Sequence, residues 1–227
     1  MSLPVLVIGN KNYSSWSLRP WLLLRHFGVG FEEVRLPLDT PQFADEVLRH
    51  SPTGKVPALH DGDVQVWDSL AICEYANERW LDGRGWPKDL AARAMARAAA
   101  AEMHSGFVAL RTQLPMNSRR TPDAYRWDAA AQRDIGRVQG LWRQLRDAQG
   151  DGGDFLCGDF GIVDAMYAPV AVRFEGYGVP VDAVARRYMD ALFALPAMRE
   201  WRAAAAEETE SVAATDALRS RCSGRPV

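Results

Sequence analysis

Strand-like runs crowd into the first third of this 227-residue chain and nearly vanish after it. A sheet made only from early residues must then be covered by the helices that follow. Pro4 to Ile8 is a short, nearly continuous apolar run, which suits a strand covered on both faces. After the polar stretch 10–15, Trp16, Trp21, Leu22, Leu24 and Phe27 recur at helical spacing. Ser15 or Ser17 can cap this helix. Pro20 fits only near its first turn, where a missing N–H costs little, and Gly28 offers a stop. Phe31 to Leu38 reads as a second strand and Gln42 to His50 as a short helix. Val56–His60 and Val64–Trp67 are two further strand candidates separated by Asp61-Gly62-Asp63. Asp-Gly between apolar runs signals a hairpin, because glycine readily supplies positive φ. Asp68-Ser69 then opens a helix through Leu70, Ile72, Cys73, Ala76 and Trp80. The order is β-α-β-α-β-β-α, and its opening strand–helix–strand unit favours a parallel pair with a right-handed crossover.

The rest of the chain reads as helix. Leu81 to Pro87 is rich in glycine and ends in proline, so the chain divides into residues 1–81, a linker at 82–89 and a helical part at 90–227. Asp89 to about Leu114 is rich in Ala and Arg and free of proline, which predicts one long helix. Pro122 and Asp123 restart a helix that runs to Ala148, and further helices are expected at 162–176, 182–194 and 197–205. The small, polar stretch after Glu207 is expected to be loosely held.

Composition removes several classes of function. A formal net charge of -2 argues against nucleic acid, which asks for a basic excess. No apolar run approaches the roughly 20 residues that span a bilayer. The N-terminus lacks the basic region of a signal peptide. Cys73, Cys157 and Cys222 lie far apart, as expected of reduced thiols in a cytoplasmic protein. His26, His50, His60 and His104 show no metal-ligand spacing, and no metal is expected. No P-loop or dinucleotide fingerprint occurs.

Four stretches together resemble glutathione transferases: Ser14-Ser15-Trp16-Ser17-Leu18-Arg19, Gly54-Lys55-Val56-Pro57-Ala58-Leu59, Trp67-Asp68-Ser69-Leu70-Ala71-Ile72, and Gly158-Asp159-Phe160-Gly161-Ile162-Val163-Asp164-Ala165. The first is similar to the Ser-Ser-Cys-Ser-x-Arg motif of the Zeta class, and more loosely to Tau-class loops. The resemblance implies a thioredoxin-like α/β N-terminal domain followed by an all-α C-terminal domain, with glutathione as co-substrate. It implies that the Ser14 hydroxyl donates to the glutathione sulfur and favours thiolate over thiol, with Ser15, Ser17 and Tyr13 as rivals. With no cysteine among residues 14–17, mixed-disulfide chemistry at this loop is excluded.

The remaining site residues follow from the same likeness. Val56-Pro57 is expected to be cis, leaving the Val56 backbone free for the cysteinyl part of glutathione. Ser69 and Asp68 are expected at the γ-glutamyl end, and Gln42 and Lys55 at the glycyl end. Gly161-x-x-Asp164 stands where the family carries a Ser/Thr-x-x-Asp capping box. His104, Arg111 and Arg173 are candidates for the pocket of a small hydrophobic or anionic electrophile. The implied activity is glutathione transfer. The alternatives are a cis-trans isomerase of the maleylacetoacetate type and a non-catalytic binding module. The resemblance also implies a homodimer.

Overall fold

The computed structural model describes residues 2–149 and 152–218. The first part runs β1 (Val5–Ile8), α1 (Ser15–His26), β2 (Glu32–Arg35), α2 (Pro41–His50), β3 (Ala58–Asp61), β4 (Val64–Trp67) and α3 (Ser69–Arg79). The strands form one sheet in the order β2-β1-β3-β4. β1 is parallel to β2, with Val5 opposite Glu32, and antiparallel to β3. Asp61 pairs with Val64, so Gly62-Asp63 is the whole hairpin turn, with Gly62 at φ 59°. This is the thioredoxin-like order, reached with strands shorter than the apolar runs suggest.

Strand alternation divides the core. Leu6 and Ile8 of β1 join the main core with α1 and α3, while Val7 faces the opposite way into a small cluster with Leu36, Val47 and Ala58. Helix α2 covers that second face. It starts on Pro41 behind a Thr40 cap, where a missing N–H is harmless.

Helices make up the second part: α4 (Leu90–Ser105), α5 (Val108–Gln113), α6 (Ala129–Gln149), α7 (Ile162–Tyr177), α8 (Ala183–Ala194), α9 (Pro196–Glu207) and the single turn α10 (Ala213–Asp216). The long helix expected over 89–114 is broken. Phe107 takes a left-handed backbone (φ 55°) and turns its ring into the core, and Leu110 N–H is held by Asp134 of α6 at 3.0 Å. Two candidate N-terminal carboxylates compete before α6. Asp128 wins by accepting from Ala130 and Ala131, while Asp123 is engaged by Arg120, so α6 begins later than Pro122 suggests. Among the described residues no helix is long and apolar enough to cross a membrane.

Helix α7 is the axis of the molecule, mostly apolar and buried at every position but Glu175, with Asp164 and Arg173 as its buried charged residues. It packs on α1 and α4, which ties the two parts together. Its start explains why glycine stands at position 161. A Cβ there would lie 2.7 Å from the Gly85 carbonyl oxygen, which itself accepts from Ile162 N–H at 2.9 Å. Asp164 reaches back to the Gly161 N–H at 2.9 Å, so half of the capping box survives.

The described part of the stretch after Glu207 is held, against the expectation that it is loose. Residues 208–218 lie across the loop before α1: Glu208 accepts from the N–H groups of Lys11 and Asn12, and Asp216 from the Tyr13 hydroxyl. Propensity is blind to such contacts, because partners nearly 200 residues apart supply them. Cys73 is buried and Cys157 half-buried, both as free thiols; Cys222 lies outside the described residues.

Candidate functional site

Helix α1 begins where β1 runs out, and Ser14 is its cap. Neither Ser15 nor Ser17 has that role. The Ser14 hydroxyl oxygen accepts from Ser17 N–H at 3.4 Å, and its O–H donates to Ser17 Oγ at 2.7 Å. Ser17 Oγ in turn accepts from Gly9 N–H at 3.1 Å, pinning the helix start to the end of β1. Ser14 is buried and Ser15, the first helical residue, is half-buried. The free N–H groups of this first turn carry the positive end of the helix dipole.

Beside this helix start lies a cleft of about 450 Å³, lined by Trp16, Lys55, Val56, Trp67, Asp68 and Ser69 among others. Four of the residues expected at glutathione, Lys55, Val56, Asp68 and Ser69, are therefore brought together. Val56-Pro57 is cis, and among the described residues the Val56 N–H and C=O make no backbone hydrogen bond. Ser69 opens α3, so the start of a second helix meets the cleft. Asp68 caps α3 by accepting from Leu70 at 2.9 Å and Ala71 at 3.3 Å. It does so at φ 77° and ψ 134°, a backbone region that costs a non-glycine residue about 1–3 kcal/mol. Strain of that kind persists where surrounding contacts over-determine it.

One of those contacts crosses to the helical part. His104 Nε2 of α4 lies 3.2 Å from the second Asp68 oxygen. The histidine expected in the electrophile pocket and the carboxylate expected at glutathione are thus a single unit. Trp16 stands beside it, with His104 edge-on at 5.3 Å, the Arg19 guanidinium 4.2 Å from the indole centroid and Arg111 at 5.2 Å. Arg111 is held by donating to the His104 carbonyl oxygen at 3.1 Å.

Arg19 is buried, donates to Ser69 Oγ at 3.3 Å, and leaves its Nε without a partner among the described residues. Burial, aggravated by the charges of Arg173 and Arg111, lowers its pKa to about 9. Burial likewise brings Arg173 down to about 10, again with Arg111 opposing its charge. Like charges left together out of water are unfavourable unless something anionic joins them. At Arg19 the nearby Asp68 carboxylate supplies part of that compensation.

Some expected residues do not line the cleft, Ser14 and Ser15 among them. Gln42 is exposed on α2 and donates to Glu46, one turn on along the same face. Arg173 is spent inside the helical part, donating to the carbonyls of Leu114 at 2.8 Å and Pro169 at 3.2 Å, so it contributes field and not a direct contact. Tyr13, a rival for the sulfur, is occupied by Asp216 at 2.7 Å and Arg119 at 2.9 Å. Conversely, Trp16, Arg19 and Trp67 were not foreseen as site residues. The available signal was the i, i+3 spacing of Trp16 and Arg19, which sets them on one helix face.

Comparison with known proteins fits this geometry. Residues 13–79 match the glutathione S-transferase N-terminal domain family and residues 128–204 the glutathione S-transferase C-terminal domain family. A zeta-class glutathione S-transferase from Euphorbia esula is 32% identical over 161 residues, covering 69% of each chain. Dichloromethane dehalogenase from Methylorubrum extorquens is 42% identical over 59 residues, a stretch that spans 25% of this chain and 20% of that one. A glutathione transferase homolog from Burkholderia, solved with bound glutathione, shares the fold at a TM-score of 0.70 and 23% identity, covering 91% of this chain and 100% of its own.

Proposed function

The chain belongs to the glutathione transferase superfamily, and on that footing we propose that it binds glutathione in the cleft between α1 and α3 and directs its thiolate at a small electrophile. The observation that carries this reading is one cleft that gathers the unpaired Val56 backbone, the start of α3 at Ser69 and Trp16 from the first turn of α1, the turn that Ser14 caps.

In this reading the γ-glutamyl carboxylate takes the Ser69 N–H and hydroxyl, backed by Arg19. The cysteinyl backbone pairs with Val56 in the manner of an added strand. Lys55, which lines the same cleft, takes the glycyl carboxylate in this reading. The sulfur then faces the first turn of α1. At rest the Ser14 proton is given to Ser17. When sulfur arrives the pair reverses: Ser17 donates to Ser14, and Ser14 donates to sulfur. Each bond in such a chain polarises the next, so the relay strengthens the donor that meets the thiolate. The thiol proton leaves to solvent. Sulfur forms a bond to the electrophilic carbon, and the leaving group departs with the bonding pair.

The electrophile lies on the other side of the sulfur, against Trp16, His104 and Arg111. An indole face flanked by guanidinium groups suits a small planar substrate, hydrophobic or anionic. The same cationic corner favours a second reading, a cis-trans isomerase in which the thiolate adds to a double bond and leaves after rotation. Turnover of maleylacetone without turnover of aryl halides would select it.

Calorimetry tests the binding claim. Wild type should bind glutathione, and Ser69→Ala should weaken it by about tenfold or more, the cost of stranding a charged partner. No heat of binding with wild type would overturn the reading and leave a binding or interaction module. We also propose a homodimer, with the exposed Val64 and Trp67 of edge strand β4 and Leu90 of α4 as apolar surface to cover. Elution at the volume of a single chain at micromolar concentration would contradict it.

A further inference from the structure

The loop that presents Ser14 is held from outside its own sheet. It joins β1 to α1, and three elements grip it. Asn10 Oδ1 accepts from Leu38 N–H at 2.7 Å, within the first part. From the segment after α5, Ser118 N–H donates to the Asn12 carbonyl at 3.0 Å and Arg119 N–H to Asn12 Oδ1 at 2.9 Å. From the residue just past α9, Glu208 sends one carboxylate oxygen to Lys11 N–H at 2.7 Å and the other to Asn12 N–H at 2.9 Å.

The last of these is the most directive. The Glu208 side chain is 7% exposed, with Arg35 Nη1 3.6 Å away. Its two oxygens span successive N–H groups, so they fix the orientation of the peptide planes at 11 and 12. Bonds from N–H to a carboxylate are about twice as strong as neutral ones. Asn12 lies two residues before the Ser14 cap, and a turn in the loop (Ser14 N–H to the Asn10 carbonyl, 2.8 Å) carries the setting of one into the other. A loop orientation set this way decides where the Ser14 hydroxyl and the first free N–H groups of α1 point.

We propose that Glu208 is a positioning residue for thiol activation: by clamping the Lys11 and Asn12 N–H groups it holds the loop in the orientation that aims Ser14 at the glutathione sulfur. The inference rests on the activity proposed above. It gives the segment beyond α9 a part in chemistry on the opposite domain. Glu208 itself touches neither glutathione nor the electrophile.

The test uses the full chain with Glu208→Ala, Glu208→Gln and, as a control, Arg35→Ala. Bound glutathione is titrated by its ultraviolet thiolate absorbance, alongside kcat, KM and thermal unfolding. Glu208→Ala should raise the bound thiol pKa by about one unit and lower kcat about tenfold, with glutathione KM nearly unchanged, because aim and not affinity is lost. Glu208→Gln keeps one acceptor and should fall between Ala and wild type, which serves if the alanine variant does not fold. Arg35→Ala removes the ion pair but neither N–H bond, and should leave the thiol pKa at the wild-type value. A Glu208→Gln or Glu208→Ala protein with lowered unfolding temperature but wild-type thiol pKa and kcat would make the contact domain glue and overturn the proposal. If wild type itself fails to lower the thiol pKa, the underlying activity falls instead, and the two failures are told apart by that first titration.

Discussion

Replacing Asp164 by alanine should destabilise the protein by about 3 kcal/mol or more. Asp164 is fully buried at the start of α7, where it accepts from Gly161 N–H at 2.9 Å and Leu156 N–H at 3.0 Å. Alanine strands both donors out of water, at about 1–3 kcal/mol each. The loss falls on the helix that packs against α1 and α4 together, so it will be felt in both halves of the fold. Burial also pushes the Asp164 carboxyl up to about 7 from its ordinary 3.8, against the pull of the two N–H bonds. The folded chain therefore keeps this proton to higher pH than the unfolded chain does. Its share of stability is full below about pH 4 and is lost as pH rises toward 7. Denaturant unfolding of wild type and Asp164→Asn at several pH values isolates this contribution. The asparagine variant should lose less than alanine, and the gap between it and wild type should change across that window. A pH-independent gap would show that the carboxyl does not titrate there.

The second large effect is on turnover. Ser14→Ala should lower kcat/KM by about 100- to 1000-fold, the range for losing one donor to a reacting anion. Its effect on stability should be near 1 kcal/mol, the usual cost of a lost N-cap. That split separates chemistry from folding. A cap that does nothing more gives the second number without the first. Ser17→Ala removes the relay and the Gly9 contact, and should lie between wild type and Ser14→Ala in rate. Ser15→Ala, lacking both bonds, should change little. A reversed order, with Ser15→Ala the damaging change, would move the sulfur one residue along the helix.

The order of elements was legible because turn chemistry announced it. Gly62 marked the hairpin and Asp68-Ser69 the start of α3. The break at Gly106-Phe107 went unread although Gly106, a poor helix former that caps α4, was a local signal; the buried Phe107 ring completes the turn. Trp16 read only as one of the apolar residues that recur along α1. Only the arrival of α4 and α5 places His104 and Arg111 around it. Gln42 was assigned by likeness alone, and the fold leaves it paired with Glu46 on an exposed face. The grip of residues 208–216 on the loop before α1 depends on contacts no local window contains.

The most direct test is the ionisation of bound glutathione. Titrated by thiolate absorbance on wild-type protein, the thiol should lose its proton about one to two pH units below the free tripeptide, and Ser14→Ala should return most of that shift. A bound thiol that titrates where the free one does, in both proteins, would contradict the account.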